Sequence, residues 1–338
     1  MNEVARAVEL LLAGDVIGLP TETVYGLAAD ATQPHAVRRV FAIKGRPVGH
    51  PLIVHLADQS WLDQYCVGDL SRAKCLANAF WPGPLTLILP KNPARVPDEV
   101  TGGLGTVAVR VPAHPLALEV IGELGRPVAA PSANRFGAVS PTTRDHVVLD
   151  LGDRVPLILD GGPCRIGIES TILDLSRDQA FLLRPGAITA EQLSVVLGEP
   201  VLENDGQGPQ APGTLASHYA PHARVVLVAP QDLWNTVRAL MDGGSVGVLA
   251  LSGAAPPAEF GIVPGRLDAH GLVRAKELVV YGVQGGIEAA AHDLYAGLRA
   301  LDEAGCSVIV SPLPELRGIG VAVLDRLERA AAPRPDQA

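Results

Sequence analysis

The sequence predicts a two-domain α/β protein, and three observations carry that prediction. Strand-like and helix-like patterns alternate through roughly the first two hundred residues. Several strand-like runs are apolar throughout instead of at every second position, the pattern of a sheet covered on both faces. The texture then breaks once, from Glu203 to about Arg224: Asn-Asp-Gly-Gln-Gly-Pro-Gln-Ala-Pro-Gly is followed by Ser-His-Tyr-Ala-Pro-His without any period. Beyond it a shorter β-α-β order resumes, which predicts a small Rossmann-like second domain. With 338 residues, 48% of them hydrophobic and 19% charged, the chain can fill two cores of ordinary size.

Element by element, a helix over 3–13 precedes a strand at Val16–Pro20. Pro34 suits a helix start, and Val37, Val40 and Phe41 share one face until Gly45 and Pro47 stop the helix. Then follow a strand at Leu52–Leu56, a helix at about Leu70–Phe80 and a strand at Leu85–Leu89. Val107–Val111, Val128–Ala130, Leu157–Leu159, Ser170–Leu175 and Ala180–Leu183 also read as strands. In the second domain Val225–Val228, Val246–Leu251, Leu278–Tyr281 and Val308–Val310 are short strands, with helices at Ile287–Ala304 and Val321–Ala331. Residues 333–338 read as a frayed tail. The predicted organisation is a domain at 1–203, a linker or lid at 204–223 and a second domain at 224–331. A structureless connection of that length in a compact protein is usually functional or disordered, and His218-Tyr219 favours function.

Composition narrows the function. A formal charge of −9 disfavours a protein that coats nucleic-acid phosphates, but leaves room for a local basic pocket. Cys66, Cys75, Cys164 and Cys306 form no CxxC pair and read as buried small hydrophobes in a reducing, cytoplasmic compartment. The N-terminus, with Glu3 and Glu9 around Leu10-Leu11-Leu12, reads as an amphipathic helix and not a signal peptide. Pro and Gly interrupt every apolar stretch short of the roughly 18 residues that span a bilayer, so no membrane role is expected.

The chemistry concentrates in a few turns. Leu-Pro-Thr-Glu-Thr-Val-Tyr-Gly (19–26) brings hydroxyls and a carboxylate, Glu22, after the first strand, and Lys44-Gly45-Arg46-Pro47 puts two cations where the next helix stops. That combination suits a polyanionic nucleotide beside a small polar co-substrate. The helix macrodipole alone favours such cations by ~0.3–1 kcal/mol. Arg110 sits inside the apolar strand Val107–Val111, and a buried guanidinium needs an anion, either an internal acid or a substrate carboxylate or phosphate. Ala-Ala-Pro-Ser-Ala-Asn (129–134) and Ser-Pro-Thr (140–142) offer close backbone approach with hydroxyl and amide groups, as do Ile-Glu-Ser-Thr (168–171) and Leu-Arg-Pro-Gly (183–186). No G-x-x-x-x-G-K-[ST] occurs, and Gly102-Gly103-Leu104-Gly105 precedes a strand where a dinucleotide fingerprint follows one. Neither Ser132 nor Ser170 lies in a nucleophile elbow, and Pro221 disfavours a helix that would align His218 with His222 on a metal.

Taken together, PTETVYGL, KGRP with PLIVHL, FWPGPLTLIL, VAVRVP, APSAN with SPT, IESTILDL, LLRPG and HYAP occur in an order that resembles the YrdC-like family, specifically its long two-domain threonylcarbamoyl-AMP synthases. The match runs nearly the whole chain, and the closing GIGVAVLDRLERAA resembles the last helix of the family's second domain. The resemblance implies a twisted open sheet with a deep cavity, plus the smaller Rossmann-like domain. It also implies an ATP-dependent nucleotidyltransferase that makes threonylcarbamoyl-AMP and pyrophosphate from L-threonine, bicarbonate or CO2, and ATP. Mg2+ is implied on the ATP phosphates with no protein side chain as ligand, and the product would pass to a tRNA threonylcarbamoyl transferase complex. Thr23, His55, Arg110, the backbone at Ala130 and Ser170 would surround threonine. Lys44, Arg46, His50, Thr106, Ser132, Ser140 and Arg184 would line the ATP site, Lys44 and Arg46 as the catalytic cations, with Tyr219 arriving from the linker. At His50 relatives carry Asn, so its contact is a ring nitrogen or a packing role. The rival of a different class is an RNA- or tRNA-binding module without catalysis, opposed by the acidic balance and by aromatics at only 4%. A hydrogenase-maturation carbamoyltransferase would need zinc-binding and acylphosphatase-like segments that are absent from this sequence, and a nucleotide sensor would bind ATP without turnover.

Overall fold

The computed structural model describes residues 2–214, 218–251, 256–260, 271–275, 277–283 and 285–333. It divides into two compact units, residues 1–136 with 140–214, and residues 137–139 with 215–338. The linker expected at 204–223 therefore distributes its described residues, 204–214 to the first unit and 218–223 to the second. Lys276 and the tail residues 334–338 lie outside the described residues.

The first unit is built on a nine-stranded mixed sheet among the described residues. Its strands are β1 (Ile17–Leu19), β2 (Gly26–Asp30), β3 (Ile53–His55), β4 (Leu85–Pro90), β5 (Thr106–Arg110), β6 (Val128–Ala129), β7 (Thr171–Asp174), β8 (Ala180–Arg184) and β9 (Val201–Glu203), in the order β1-β2-β6-β3-β5-β4-β7-β8-β9. β3 lies parallel to β5 and β4 to β7, while β4 and β5 are antiparallel. Because side chains alternate across a strand, the two faces have different fates. Val54, Leu87, Val109 and Ala129 enter a large core that helices Pro34–Lys44, Ser71–Phe80, Arg144–Leu151 and Ala190–Leu197 cover with Val37, Phe41, Leu76, Val147 and Leu193. On the opposite face, β1, β2 and β6 are covered by helices Glu3–Leu12 and Pro115–Leu124. The neighbouring part of that face carries a small cluster, Ile53, Ile88, Ala108, Ile172, Phe181 and Leu183. Among the described residues no helix contributes to it; Ala211, from the end of the unit, packs there instead.

Local chemistry sets the boundaries. Asn2 caps the first helix, its Oδ1 accepting from the Ala5 amide at 2.7 Å. Pro34 opens the second helix, and Gly45, at φ 64°, ends it in the left-handed region, where a side chain would be strained. Thr189 and Gln192 form a reciprocal capping box. One sequence expectation fails: Leu157–Leu159 is not a strand but a single bridge of Ile158 to Gly18, with Leu157 accepting from the Gly18 amide at 2.8 Å. The turn Asp160-Gly161-Gly162 follows at once and leaves no length for a ladder. Cys75 is a second correction, since it is exposed, on the solvent side of a helix whose buried face is Ala73, Leu76 and Ala77.

The second unit carries a five-stranded sheet of β10 (Arg224–Val228), β11 (Val246–Ala250), β12 (Leu272–Ala275), β13 (Leu278–Gly282) and β14 (Val308–Pro312), in the order β10-β14-β11-β13-β12. Four strands are parallel and β12 is an antiparallel edge. Helices Ile287–Glu303 and Gly320–Ala331 follow β13 and β14, which gives the Rossmann-like character expected. Among the described residues no helix of the chain is long and apolar enough to cross a membrane.

Candidate active site

One face of the parallel pair β3–β5 organises the polar residues of the first unit. Register pairs Ile53 with Ala108 and His55 with Arg110, and the period of two puts Thr106, Ala108 and Arg110 on the same side. The strip therefore has a polar group at each end and an apolar pair between. Four residue steps along the strand lead from Thr106 to Arg110, roughly 13 Å at ~3.3 Å per step.

At the Arg110 end everything is buried and interlocked. The Arg110 guanidinium donates Nε to the Gly83 carbonyl at 3.1 Å and Nη1 to Thr23 Oγ1 at 2.9 Å. Its Nη2 lies 2.6 Å from Glu22 Oε1, with the two side chains only 4% and 2% exposed. The internal acid that a buried arginine demands is thus Glu22. The loop that presents Thr23 and Glu22 is fixed by Thr21, whose hydroxyl donates to the Val24 carbonyl at 2.6 Å, and by the Glu22 carbonyl, which accepts from Ile166 N at 2.8 Å. Next along the sheet, the Thr86 and Ser170 hydroxyls meet at 2.7 Å. Arg184 reaches the Ser170 carbonyl from Nε at 3.1 Å and from Nη2 at 2.8 Å, while Nη1 donates to the Pro212 carbonyl at 2.8 Å. Gly186 lets this turn close: a Cβ there would stand 2.4 Å from the Thr171 amide nitrogen.

The other end gathers around the terminus of helix Pro34–Lys44. Lys44 Nζ donates to the Ser132 carbonyl at 2.5 Å and the Asn134 carbonyl at 2.7 Å. Arg46 Nη2 donates to the Pro51 carbonyl at 3.1 Å, and its guanidinium lies 5.7 Å from the Phe136 ring centre. His50 meets the same ring at 5.9 Å. The ladder ends at Ile53, because the Leu52 amide donates to the Val100 carbonyl at 2.8 Å; Pro51 thus stands two residues before β3, at the end of the strip where Thr106 opens β5. Ala130, whose amide donates to the Ile53 carbonyl at 3.0 Å, lies beside the middle of the strip. Ser140 donates to Glu169 Oε1 at 2.6 Å, next in sequence to Ser170.

Burial sets the electrostatics. It drives the Lys44 ammonium well below the usual lysine range, and the neighbouring Arg46 charge adds to the effect. Burial and then the Arg110 charge push His55 down to about 3, so its imidazole is neutral at physiological pH. His50 is lowered too, by partial burial and then by Arg46. A dry, cationic end of this kind favours a polyanion, which would stabilise the charged form of Lys44.

Most residues singled out in the sequence thus fall into two groups on one strip: Thr23, His55, Arg110, Ser170 and Arg184 at one end, and Lys44, Arg46, His50, Thr106 and Ser132 at the other. Tyr219 belongs to the second unit. It is buried there, at φ 60°, against Tyr295 at 5.5 Å and Arg326 at 5.5 Å. Sequence reasoning noted the Glu22 carboxylate without pairing it to Arg110, and gave no role to Thr86, Glu169 or Phe136. For Thr86 a signal was present, a lone hydroxyl in the apolar run Leu85–Leu89 at the same parity as Ile88.

Known proteins resemble the chain along nearly its whole length. A family model described as "Telomere recombination" matches residues 9–186, and one described as "Threonylcarbamoyl-AMP synthase, C-terminal domain" matches residues 188–332. The threonylcarbamoyl-AMP synthase of Bacillus subtilis is 40% identical over 339 residues, covering 98% of this chain and 94% of that protein. The threonylcarbamoyl-AMP synthase of Pyrococcus abyssi is 40% identical over 333 residues, covering 95% and 92%. The crystal structure of P. abyssi Sua5 complexed with L-threonine matches with a TM-score of 0.86 at 37% identity, covering 97% of this chain and 94% of that one.

Proposed function

The chain belongs to the threonylcarbamoyl-AMP synthase family in its long two-domain form, and from that premise we propose how its first unit joins L-threonine, bicarbonate or CO2, and ATP into threonylcarbamoyl-AMP. The observation that carries the reading is the single strip of β3–β5, with a buried guanidinium at one end and a dry cationic group at the other. Arg110 takes the threonine carboxylate by charge-assisted hydrogen bonds, with Thr23, neutral His55, the backbone at Ala130 and Ser170 around the rest of the amino acid. Lys44 and Arg46 take the triphosphate, with His50, Thr106, Ser132, Ser140 and Arg184 lining the nucleotide.

The neutral amine attacks the carbon of CO2 and releases one proton, or that of bicarbonate and releases water; the resulting N-carboxylate attacks the α-phosphorus in line, breaking its bond to the bridging oxygen as pyrophosphate leaves. Little covalent chemistry falls to the protein; positioning and charge neutralisation dominate, as in phosphoryl transfer generally. Mg2+ enters as counterion of the nucleotide phosphates. Residues 211–212, which lie on the open sheet face and on Arg184, would help keep water from the labile mixed anhydride. A cytoplasmic location, and delivery of the product to a tRNA threonylcarbamoyl transferase complex, complete the proposal.

The test is to mix the purified protein with ATP, Mg2+, L-threonine and labelled bicarbonate. Pyrophosphate and a labelled adenylate, both dependent on threonine, support the reading. ATP binding without turnover favours a sensor, and a salt-dependent tRNA gel shift without ATP favours the RNA-binding alternative.

A further inference from the structure

We propose that Glu22 receives the α-ammonium of the amino-acid substrate, so that Glu22 and Arg110 recognise a zwitterion as a unit. The inference deepens the threonine site and rests on that reading. Glu22 is buried, yet among the described residues neither of its carboxylate oxygens accepts a hydrogen bond; the 2.6 Å approach of Arg110 Nη2 is an ion pair off hydrogen-bond alignment. An ionised carboxylate has room for about four donors, and a buried one short of donors is costly. Its backbone is fixed by the Ile166 amide and by the Thr21 turn, which holds the residue beside Arg110. Arg110 is held as firmly, by the Gly83 carbonyl and Thr23.

The carboxylate and ammonium of an amino acid leave the same carbon, the spacing that a guanidinium and carboxylate in contact can meet together. Charge then decides the ligand class. Glu22 and Arg110 sum to zero, and so does an amino-acid zwitterion, so exchanging partners buries no net charge. A 2-hydroxy acid adds a negative charge beside Glu22, and an amino alcohol adds a positive one beside Arg110. The pair therefore selects amino acids over both.

Calorimetry on the full-length chain without ATP tests this with three probes: L-threonine, 2,3-dihydroxybutanoate, which lacks the ammonium, and threoninol, which lacks the carboxylate. The wild type should bind threonine at least about tenfold more tightly than either analogue. Glu22→Gln should weaken threonine roughly 10- to 100-fold, the loss of a charge-assisted contact, and should leave 2,3-dihydroxybutanoate unchanged or tighter. Glu22→Asp, which keeps the charge, should retain the order of the three probes, and it carries the test if the Gln variant does not fold. Equal weakening of threonine and the hydroxy acid in Glu22→Gln would mean that Glu22 only props Arg110, which overturns the inference alone. So would wild-type affinity in the variant, or a wild type that takes the hydroxy acid as tightly as threonine. A wild type that binds none of the three overturns the threonine site itself and the inference with it.

Discussion

The two ends of the β3–β5 strip solve the problem of a buried cation in opposite ways. Arg110 carries its counterion with it: Glu22 lies 2.6 Å away, and both side chains are almost fully enclosed. Lys44 has no carboxylate within ion-pair distance among the described residues, only the carbonyls of Ser132 and Asn134 and the Asn134 amide oxygen. The first end is electrically complete within the fold, whereas the second carries an ammonium that burial has already destabilised. A neutral pair suits a ligand of zero net charge, and a cation without a contacting carboxylate suits a polyanion. On the proposed reading, the strip would sort two substrates by charge before any finer contact is considered.

The largest effects should come from breaking the complete end. Arg110→Ala leaves Glu22 buried without its partner and should cost about 3–5 kcal/mol of stability, the range for orphaning one member of a buried pair. Removing both charges in Arg110→Ala with Glu22→Ala should recover part of that loss in a denaturant titration. If the double variant is as unstable as the sum of the singles, the two residues are not coupled. In Arg110→Ala protein that remains folded, the threonine requirement should rise while ATP binding persists; an unchanged threonine requirement refutes the carboxylate role.

At the cationic end the loss should fall on chemistry. Lys44→Ala removes a buried charge that the fold holds only by carbonyls, so stability should hold or improve. Pyrophosphate release should nevertheless drop roughly 10²–10³-fold, as when one preorganised electrostatic contact is deleted. Arg46→Ala should lower pyrophosphate release in the same way. A Lys44 variant that releases pyrophosphate at the wild-type rate removes this end from the nucleotide site.

Much of this comparison was legible in the sequence, and the remainder was hidden for physical reasons. Lys44 and Arg46 showed themselves by standing at a helix stop, and Arg110 by sitting among Val109 and Val111 in an apolar strand. Glu22 showed as a carboxylate in the first turn but not as the partner of Arg110, which the fold brings from 88 positions away. β2 escaped notice because Gly26-Leu27-Ala28-Ala29-Asp30 has weak strand propensity; pairing with β1 and β6 decides it. Helices Pro115–Leu124 and Ala190–Leu197 left readable signals, a proline at the first turn with Gly125 beyond the last, and the Thr189–Gln192 box. The face left without helices was beyond sequence, since parity assigns alternate residues to two sides but not which elements cover each side.

His55 offers a milder perturbation. Its folded value of about 3 lies below the ordinary 6.5, so between those limits the unfolded chain binds the extra proton. Stability from this group is therefore complete above pH 6.5 and is lost as pH falls from 6.5 toward 3, by about 1.4 kcal/mol per pH unit. His55→Gln should flatten the acid limb of a denaturation series between pH 6.5 and 4 without changing the neutral plateau in the same sense. An acid limb as steep as wild type would place the titration elsewhere.

The smallest effect should come from the segment that covers the helix-free face. Residues 205–214 contact it through Ala211, and Pro212 accepts from Arg184. Asp205 is also ion-paired to Arg177, which stacks on Phe181 of the same apolar cluster. Ending the chain at residue 204 removes these contacts but none of the strip's own side chains. The truncated unit should remain folded and lose activity roughly two- to tenfold, the scale of one ordinary hydrogen bond. The loss should appear more in hydrolysed intermediate than in threonine affinity, because no residue assigned to threonine leaves. Measuring adenylate product against pyrophosphate separates the two: a ratio that stays at the full-length value, with full activity, refutes the covering role.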